Sequence, residues 1–207
     1  MAIKWTLDKR KYLDSNEVKK LRKTLKIEMK RGIQTKNYIL VRNWFVVLLG
    51  LYSGLRISEM ADLRNEDILI YDDLAFVYVK KGKGNKKRHV RVGKELIEAY
   101  LEFTNFKKNL EIGIDDESYV LCKINSEKLS VRTLQIAFKK CASKAGLSSH
   151  YSIHCLRHTY GTHLYKASNH NLRFVQKQLG HSSISITEVY ANVIEEEAGK
   201  AIDRLYK

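Results

Sequence analysis

The stretch Ile68-Leu69-Ile70-Tyr71-Asp72-Asp73-Leu74-Ala75-Phe76-Val77-Tyr78-Val79-Lys80-Lys81-Gly82-Lys83-Gly84-Asn85-Lys86-Lys87-Arg88-His89-Val90-Arg91-Val92 decides the fold class. Three short runs rich in β-branched and aromatic residues, Ile68 to Ile70, Ala75 to Val79 and Arg88 to Val92, read as strands. Asp72-Asp73 supplies turn chemistry in the first gap, and Gly82 to Asn85 in the second. The spacing predicts a three-stranded antiparallel meander.

On either side the apolar period lengthens to that of a helix. Asp14-Ser15 forms an N-cap ahead of Val18, Leu21, Leu25 and Met29, and Gly32 is expected to end that helix. A second helix, residues 36–52, is apolar enough to be central. Ser53-Gly54 breaks it, and a short helix follows over 56–63. Beyond the meander, helices are expected over 94–110, from the Ser130 cap to Gly146, and over 154–166, 171–179, 183–193 and 195–206. The expected fold class is mainly α with one small antiparallel β-sheet (α+β), in one compact domain without internal repeats.

Composition narrows the function. The chain has 207 residues, enough for a real core, and 44% are hydrophobic. Lys and Arg number 38 against 23 Asp and Glu, a formal charge of +15. Such a field favours a polyanionic partner, nucleic acid first. No run approaches the ~20 apolar residues that span a bilayer. The N-terminus lacks the apolar core of a signal peptide. Three cysteines without a CxxC pair suit a reducing cytoplasm and argue against a disulfide framework. Proline is absent, so turns rest on Gly, Asn, Asp and Ser.

Four separated clusters carry chemistry. In Gly54-Leu55-Arg56-Ile57-Ser58-Glu59, Arg56 opens a helix beside free backbone N–H groups, a place for a phosphate. Taken alone, a plain surface pair of Arg56 with Glu59 explains it as well. In Lys80 to Arg88, glycines let the backbone turn closely while cations face a partner. A solvated basic turn is the plainer account, and the GxxxxGK[ST] order of a phosphate-binding loop is missing. In His154-Cys155-Leu156-Arg157-His158-Thr159, His154 and Arg157 share a helix face and pair a proton-transfer group with a phosphate clamp. His150, His154 and His158 also recur every fourth residue, but no suitably spaced fourth ligand completes a zinc site. The last cluster, Leu179-Gly180-His181, presents His181 at a helix break, with Thr187 and Tyr190 following.

In order the clusters read Arg, Lys, His-x-x-Arg, Leu-Gly-His, Tyr. That pattern, from Ser53 to Val193, resembles the tyrosine recombinases, the family of phage and transposon integrases and chromosome-dimer-resolving recombinases. The resemblance implies a catalytic-domain fold and site-specific DNA strand cleavage and rejoining through a 3′-phosphotyrosyl link at Tyr190. It gives Arg56 and Arg157 to the scissile phosphate and Lys83 to protonation of the leaving 5′ oxygen. His154 takes proton exchange with the nucleophile, His181 a hydrogen bond to the phosphate, and Glu59 a supporting place. Lys81 and Lys86 flank Lys83 as register alternatives. With Lys87 and Arg88 they are the expected DNA-binding cations.

The resemblance further implies double-stranded DNA as partner, no cofactor and no metal. It implies a homotetramer on DNA, with a monomer as the alternative off DNA, and a DNA-associated place in a prokaryotic cytoplasm. It departs at Ser53, where Thr is common, and at Gly161, where Ala is common. Only two helices are expected before Arg56, so residues 1–207 read as the catalytic domain, with the usual N-terminal core-binding domain absent. Ile194, Ala198, Ala201 and Leu205 make a modest apolar stripe. The resemblance reads 195–207 as a helix exchanged between subunits, with docking on its own domain as the alternative. Two other functions remain open: a type IB topoisomerase, which uses a similar site, and a noncatalytic DNA-binding module.

Overall fold

A computed structural model describes residues 9–80, 82, 87–181, 187 and 190. The element order is α1 (Ser15–Gln34), α2 (Tyr38–Ser53), α3 (Ile57–Asp62), β1 (Ile68–Ile70), β2 (Ala75–Val79), β3 (Arg88–Val92), α4 (Lys94–Lys108), α5 (Val131–Lys144), α6 (His154–Ala167) and α7 (Leu172–Leu179). Thr187 and Tyr190 are helical. The expected helix over 195–206, its apolar stripe and the rest of the 183–193 segment lie outside the described residues.

Helix α2 is the centre, because it is apolar all round and must be covered on every side. α1, α4, α5 and α6 pack against it. Phe45 of α2 stacks on Phe103 of α4 at 4.8 Å between ring centroids. Helix α1 starts where Asp14 predicts. The Asp14 carboxylate accepts from the Asn16 and Glu17 N–H groups, and Glu17 reaches back to the Asp14 N–H. Such caps contribute about 1 kcal/mol.

Gly32 does not end α1, which runs on to Gln34. The glycine serves packing instead. A Cβ there would stand 2.8 Å from Val41 Cγ2 and 2.9 Å from Leu40 Cβ, so it lets α1 and the start of α2 meet closely.

The sheet is an antiparallel meander, β1-β2-β3. Ile68 pairs with Val77 and Val77 with Val90. Ala75, Val77 and Val79 point into the core while Phe76 and Tyr78 are half-buried, the period-two pattern of a one-sided sheet. β3 is an edge strand, and its free edge is covered by a side chain rather than a strand. Gln178 of α7 accepts from the Arg91 N–H at 3.0 Å and donates to the Arg91 carbonyl at 3.3 Å. That amide mimics a peptide unit and fastens the end of α7 to the sheet. Lys107, at the end of α4, is turned inward and donates to the Tyr119 and Val120 carbonyls, both at 3.2 Å. Its stem is buried. Cys122, Cys141 and Cys155 are free and buried. Among the described residues, no helix is long and apolar enough to cross a membrane.

Candidate active site

Two helix ends and one helix face form the site. Gly54 ends α2 in the left-handed conformation, with φ +61. Its bare Cα also admits the ring of Tyr160, whose Cδ1 would lie 2.3 Å from any Cβ. The chain then turns sharply enough to put Arg56 at the N-cap of α3. Gly180 ends α7 in the same way, with φ +65, and so throws His181 out of the helix. α6 runs between these two ends.

Arg157, on α6, bridges them. Its terminal nitrogens donate to the Gly54 carbonyl at 2.6 Å and to the Leu179 carbonyl at 2.7 Å. The guanidinium is buried. Burial, and then the charge of Arg56, lower its pKa to about 10. It remains a cation at neutral pH, held by carbonyl oxygens rather than by an acid.

Arg56 is fixed differently. Glu59 accepts from the Arg56 backbone N–H at 2.8 Å and from its guanidinium at 2.9 Å. The surface pair expected from sequence is therefore present, but its acid is buried: the Glu59 side chain is 2% exposed and that of Arg56 24%. Glu59 also holds Arg88 of β3 through two bonds of 2.8 Å. Burial works to raise the Glu59 carboxyl. The bonds and charge of Arg88, with those of Arg56, outweigh it and hold the group at about 2.

Tyr190 is 1% exposed. Its ring lies on Gly161 of α6, where a Cβ would approach Tyr190 Cζ to 2.5 Å. The His181 ring is nearly parallel to it, with centroids 6.4 Å apart and 7° between planes. The His158 ring is tilted to that of Tyr190, with centroids 6.3 Å apart and 49° between planes. Burial raises the Tyr190 hydroxyl to about 12, against the pull of Arg157 and Arg56. His181 falls to about 3, through burial first and then the charges of Arg157, Arg56 and Arg88. It is neutral at physiological pH, and its Nδ1 lies 2.9 Å from the Thr187 hydroxyl. His158 falls to about 4 for the same reasons, burial and then Arg157.

Of the residues singled out from sequence, Arg56, Arg157, His181, Tyr190 and Glu59 come together. His154 occupies the exposed first turn of α6 and borders a hollow of about 300 Å³ with Lys11, His150 and His158. The α6 imidazole that meets the Tyr190 ring is His158, one turn further on. Lys83, Lys81 and Lys86 lie outside the described residues. Lys87 is exposed, as expected of a hairpin cation. Arg88 is not: it begins β3, points inward and is 12% exposed. Sequence reasoning gave no role to His158 or Gln178 and only noted Thr187. The one available signal was that Thr187 stands one helical turn before Tyr190. Among the described residues, no group of three or more His, Cys, Asp or Glu side chains could hold a metal ion.

Residues 11–197 match the model of the phage integrase family. This chain belongs to the phage integrase family. Curated relatives include the tyrosine recombinase XerC of Proteus mirabilis, 33% identical over 93% of this chain and 58% of the relative. Another is the tyrosine recombinase XerA of Pyrococcus furiosus, 33% identical over 86% of this chain and 59% of the relative. This integrase-family chain thus spans just over half the length of those two relatives. Among solved structures, the XerH site-specific recombinase bound to difH substrate, post-cleavage, aligns with a TM-score of 0.74 and 22% identity, covering 95% of this chain and 53% of that one. The XerA recombinase gives 0.72 and 21%, over 95% and 65%. These likenesses bear out the α+β catalytic-domain fold.

Proposed function

We propose that this chain is the catalytic part of a site-specific DNA recombinase that cuts and rejoins strands through a phosphotyrosine at Tyr190. The observation that carries the reading is the meeting of Arg56, Arg157 and His181 around one buried tyrosine. A phosphodiester under attack gathers negative charge on its nonbridging oxygens, and fixed donors in a water-poor site stabilise that charge most. Arg157 is oriented by two carbonyls and Arg56 by Glu59, so little is lost in ordering them when the phosphate arrives.

The step balances without an external co-reactant. Tyr190 Oη bonds to phosphorus, the bond from phosphorus to the 5′ oxygen breaks, and that oxygen leaves with a proton. The phosphotyrosyl bond keeps the energy of the diester, and a 5′-hydroxyl reverses the step on the new partner strand. The family resemblance gives Lys83 the leaving-group proton and His154 the tyrosine proton, although in the DNA-free chain the α6 imidazole beside the Tyr190 ring is His158. A hydroxyl near pKa 12 ionises rarely at neutral pH, so it needs such a base. A DNA backbone cannot reach a group so deeply buried. Tyr190 therefore leaves the face of Gly161 when DNA binds.

The relatives named recombinases support double-stranded DNA as substrate, as does the charge of +15. A homotetramer on DNA, a cytoplasmic place and metal-free chemistry belong to the same reading.

The test is covalent trapping. The chain is incubated with a pool of nicked duplexes of randomised sequence, and detergent-stable adducts are recovered. Adducts are expected with the wild type and none with Tyr190→Phe, which should still bind DNA. An adduct on another residue overturns the assignment. Relaxation of supercoiled plasmid without strand exchange would give the site to a topoisomerase instead. Binding with no adduct at all would leave a DNA-binding module.

A further inference from the structure

Arg88 is built into the site more deeply than a hairpin cation needs to be. Both of its terminal nitrogens are committed to the two oxygens of Glu59, each at 2.8 Å. The same two oxygens hold the Arg56 N–H and guanidinium. The stem of Arg88 runs beneath Gly180: a Cβ on that glycine would stand 2.6 Å from Arg88 Cδ and 2.7 Å from Nε. Arg88 Nε is buried and meets no acceptor among the described residues. Little of this guanidinium is thus left toward solvent for a phosphate to take, the side chain being only 12% exposed. The side chain touches instead the acid that orients Arg56 and the glycine that releases His181. Two bonds between the Gln178 side-chain amide and the Arg91 backbone fasten the same strand to the same helix end.

We infer that Arg88 is a positioning residue, which keys β3 through Glu59 to Arg56 and through Gly180 to His181, and is not a DNA phosphate contact. This rests on the proposed phosphoryl-transfer reading for its catalytic consequence, though not for its geometry. A bidentate arginine–carboxylate pair has one favoured plane, so it fixes the direction of Glu59. Glu59 in turn has only one orientation that serves both the N-cap of α3 and the Arg56 side chain. Lysine cannot substitute, because a point charge leaves the carboxylate free to rotate.

The test is a double-mutant cycle on the full chain, with Arg88→Met and Glu59→Gln alone and together. Removing one partner of a buried pair can unfold a domain. The double variant, which leaves no buried carboxylate behind, and a companion Arg88→Lys guard against that. If Arg88 acts through Glu59, Arg88→Met slows adduct formation on the order of 30-fold or more in the wild type and less than about threefold in the Glu59→Gln background. Arg88→Lys stays folded and remains slow. DNA affinity and its salt dependence stay as in the wild type for each variant.

A phosphate contact gives a different result: weaker binding in both backgrounds and a salt slope smaller by about one. That outcome, or equal rate losses in the two backgrounds, overturns the inference. A second readout stands apart from catalysis. In the DNA-free chain, the Nε–H resonance of Arg56 should be sharp in the wild type and broadened or shifted in Arg88→Met and Arg88→Lys. An unchanged resonance defeats the positioning role. If the wild type forms no adduct on any duplex, the recombinase reading fails while this resonance still reports on Arg88.

Discussion

The ring of Tyr190 rests directly on the bare Cα of Gly161, with Tyr190 Cζ only 2.5 Å from where a Cβ would stand. Real Cβ atoms do not come so close, so Gly161→Ala must move the ring or the helix. Alanine would gain about 0.5–1 kcal/mol of helix preference, whereas overfilling a tight contact costs about 1–3 kcal/mol. The second term should win. A net loss of about 1 kcal/mol is expected by thermal denaturation, with Tyr190 more exposed to solvent perturbation of its ultraviolet absorbance. A variant as stable as the wild type, with Tyr190 still buried, would show that the contact does not hold the ring.

The element plan was legible because it rests on local signals. The three strand runs coincide with β1, β2 and β3, and the caps at Asp14 and Ser130 sit where helices begin. Gly32 misled because glycine has two uses. Its value here is a close approach between helices, which depends on Val41 and Leu40 and leaves no trace in the local pattern. The site was legible as residue types and only partly as roles. Arg88 stands in a basic run and reads as a surface cation, and only the fold sets a buried carboxylate, Glu59, opposite it. His158 follows Arg157 in sequence, and nothing local tells that it, rather than His154, faces the Tyr190 ring.

Metal removal should leave strand cleavage intact. The centre assembles Arg56 and Arg157 around Tyr190, and the acid beside them, Glu59, is occupied by two arginines. A divalent ion would have to displace Arg88 or Arg56 to reach it. Adduct formation in excess EDTA is therefore expected at the rate seen without it. Loss of adduct in EDTA, restored by magnesium or zinc, would contradict cation-only stabilisation of the phosphate.

Stability should fall on mild acidification. His158 and His181 have folded pKa values lowered to about 4 and about 3, chiefly by burial, and His163 is lowered in the same direction by burial. An unfolded histidine protonates near pH 6.5. Between that value and the folded ones, the unfolded chain binds more protons, so stability is full above about pH 6.5 and declines as pH falls through the window. At pH 5, unfolding should take up roughly two protons from His158 and His181 together. Melting temperature measured against pH, with buffers of different ionisation heat, reads that number. His181→Gln should lower the uptake by about one. A melting temperature flat from pH 7 to pH 5 would mean that these rings are not buried as neutral groups.

Thr187 should matter to the rate through His181. The Thr187 hydroxyl lies 2.9 Å from His181 Nδ1, and Thr187 is fully buried. A neutral imidazole has one N–H, and which nitrogen carries it is set by the partner of the other. If His181 gives its proton to a phosphate through Nε2, then Nδ1 must accept, and Thr187 must be the donor. Thr187→Val keeps the shape, removes that donor and leaves the tautomer undirected. Adduct formation should slow by roughly tenfold, the order of one lost hydrogen bond of about 1.4 kcal/mol, and Thr187→Ser should restore most of it. Nitrogen-15 spectra of the free chain check the cause: Nδ1 of His181 should carry no proton in the wild type and in Thr187→Ser, and a mixture should appear in Thr187→Val. A protonated Nδ1 in the wild type would reverse the direction of the bond and leave Thr187 with no part in aiming His181.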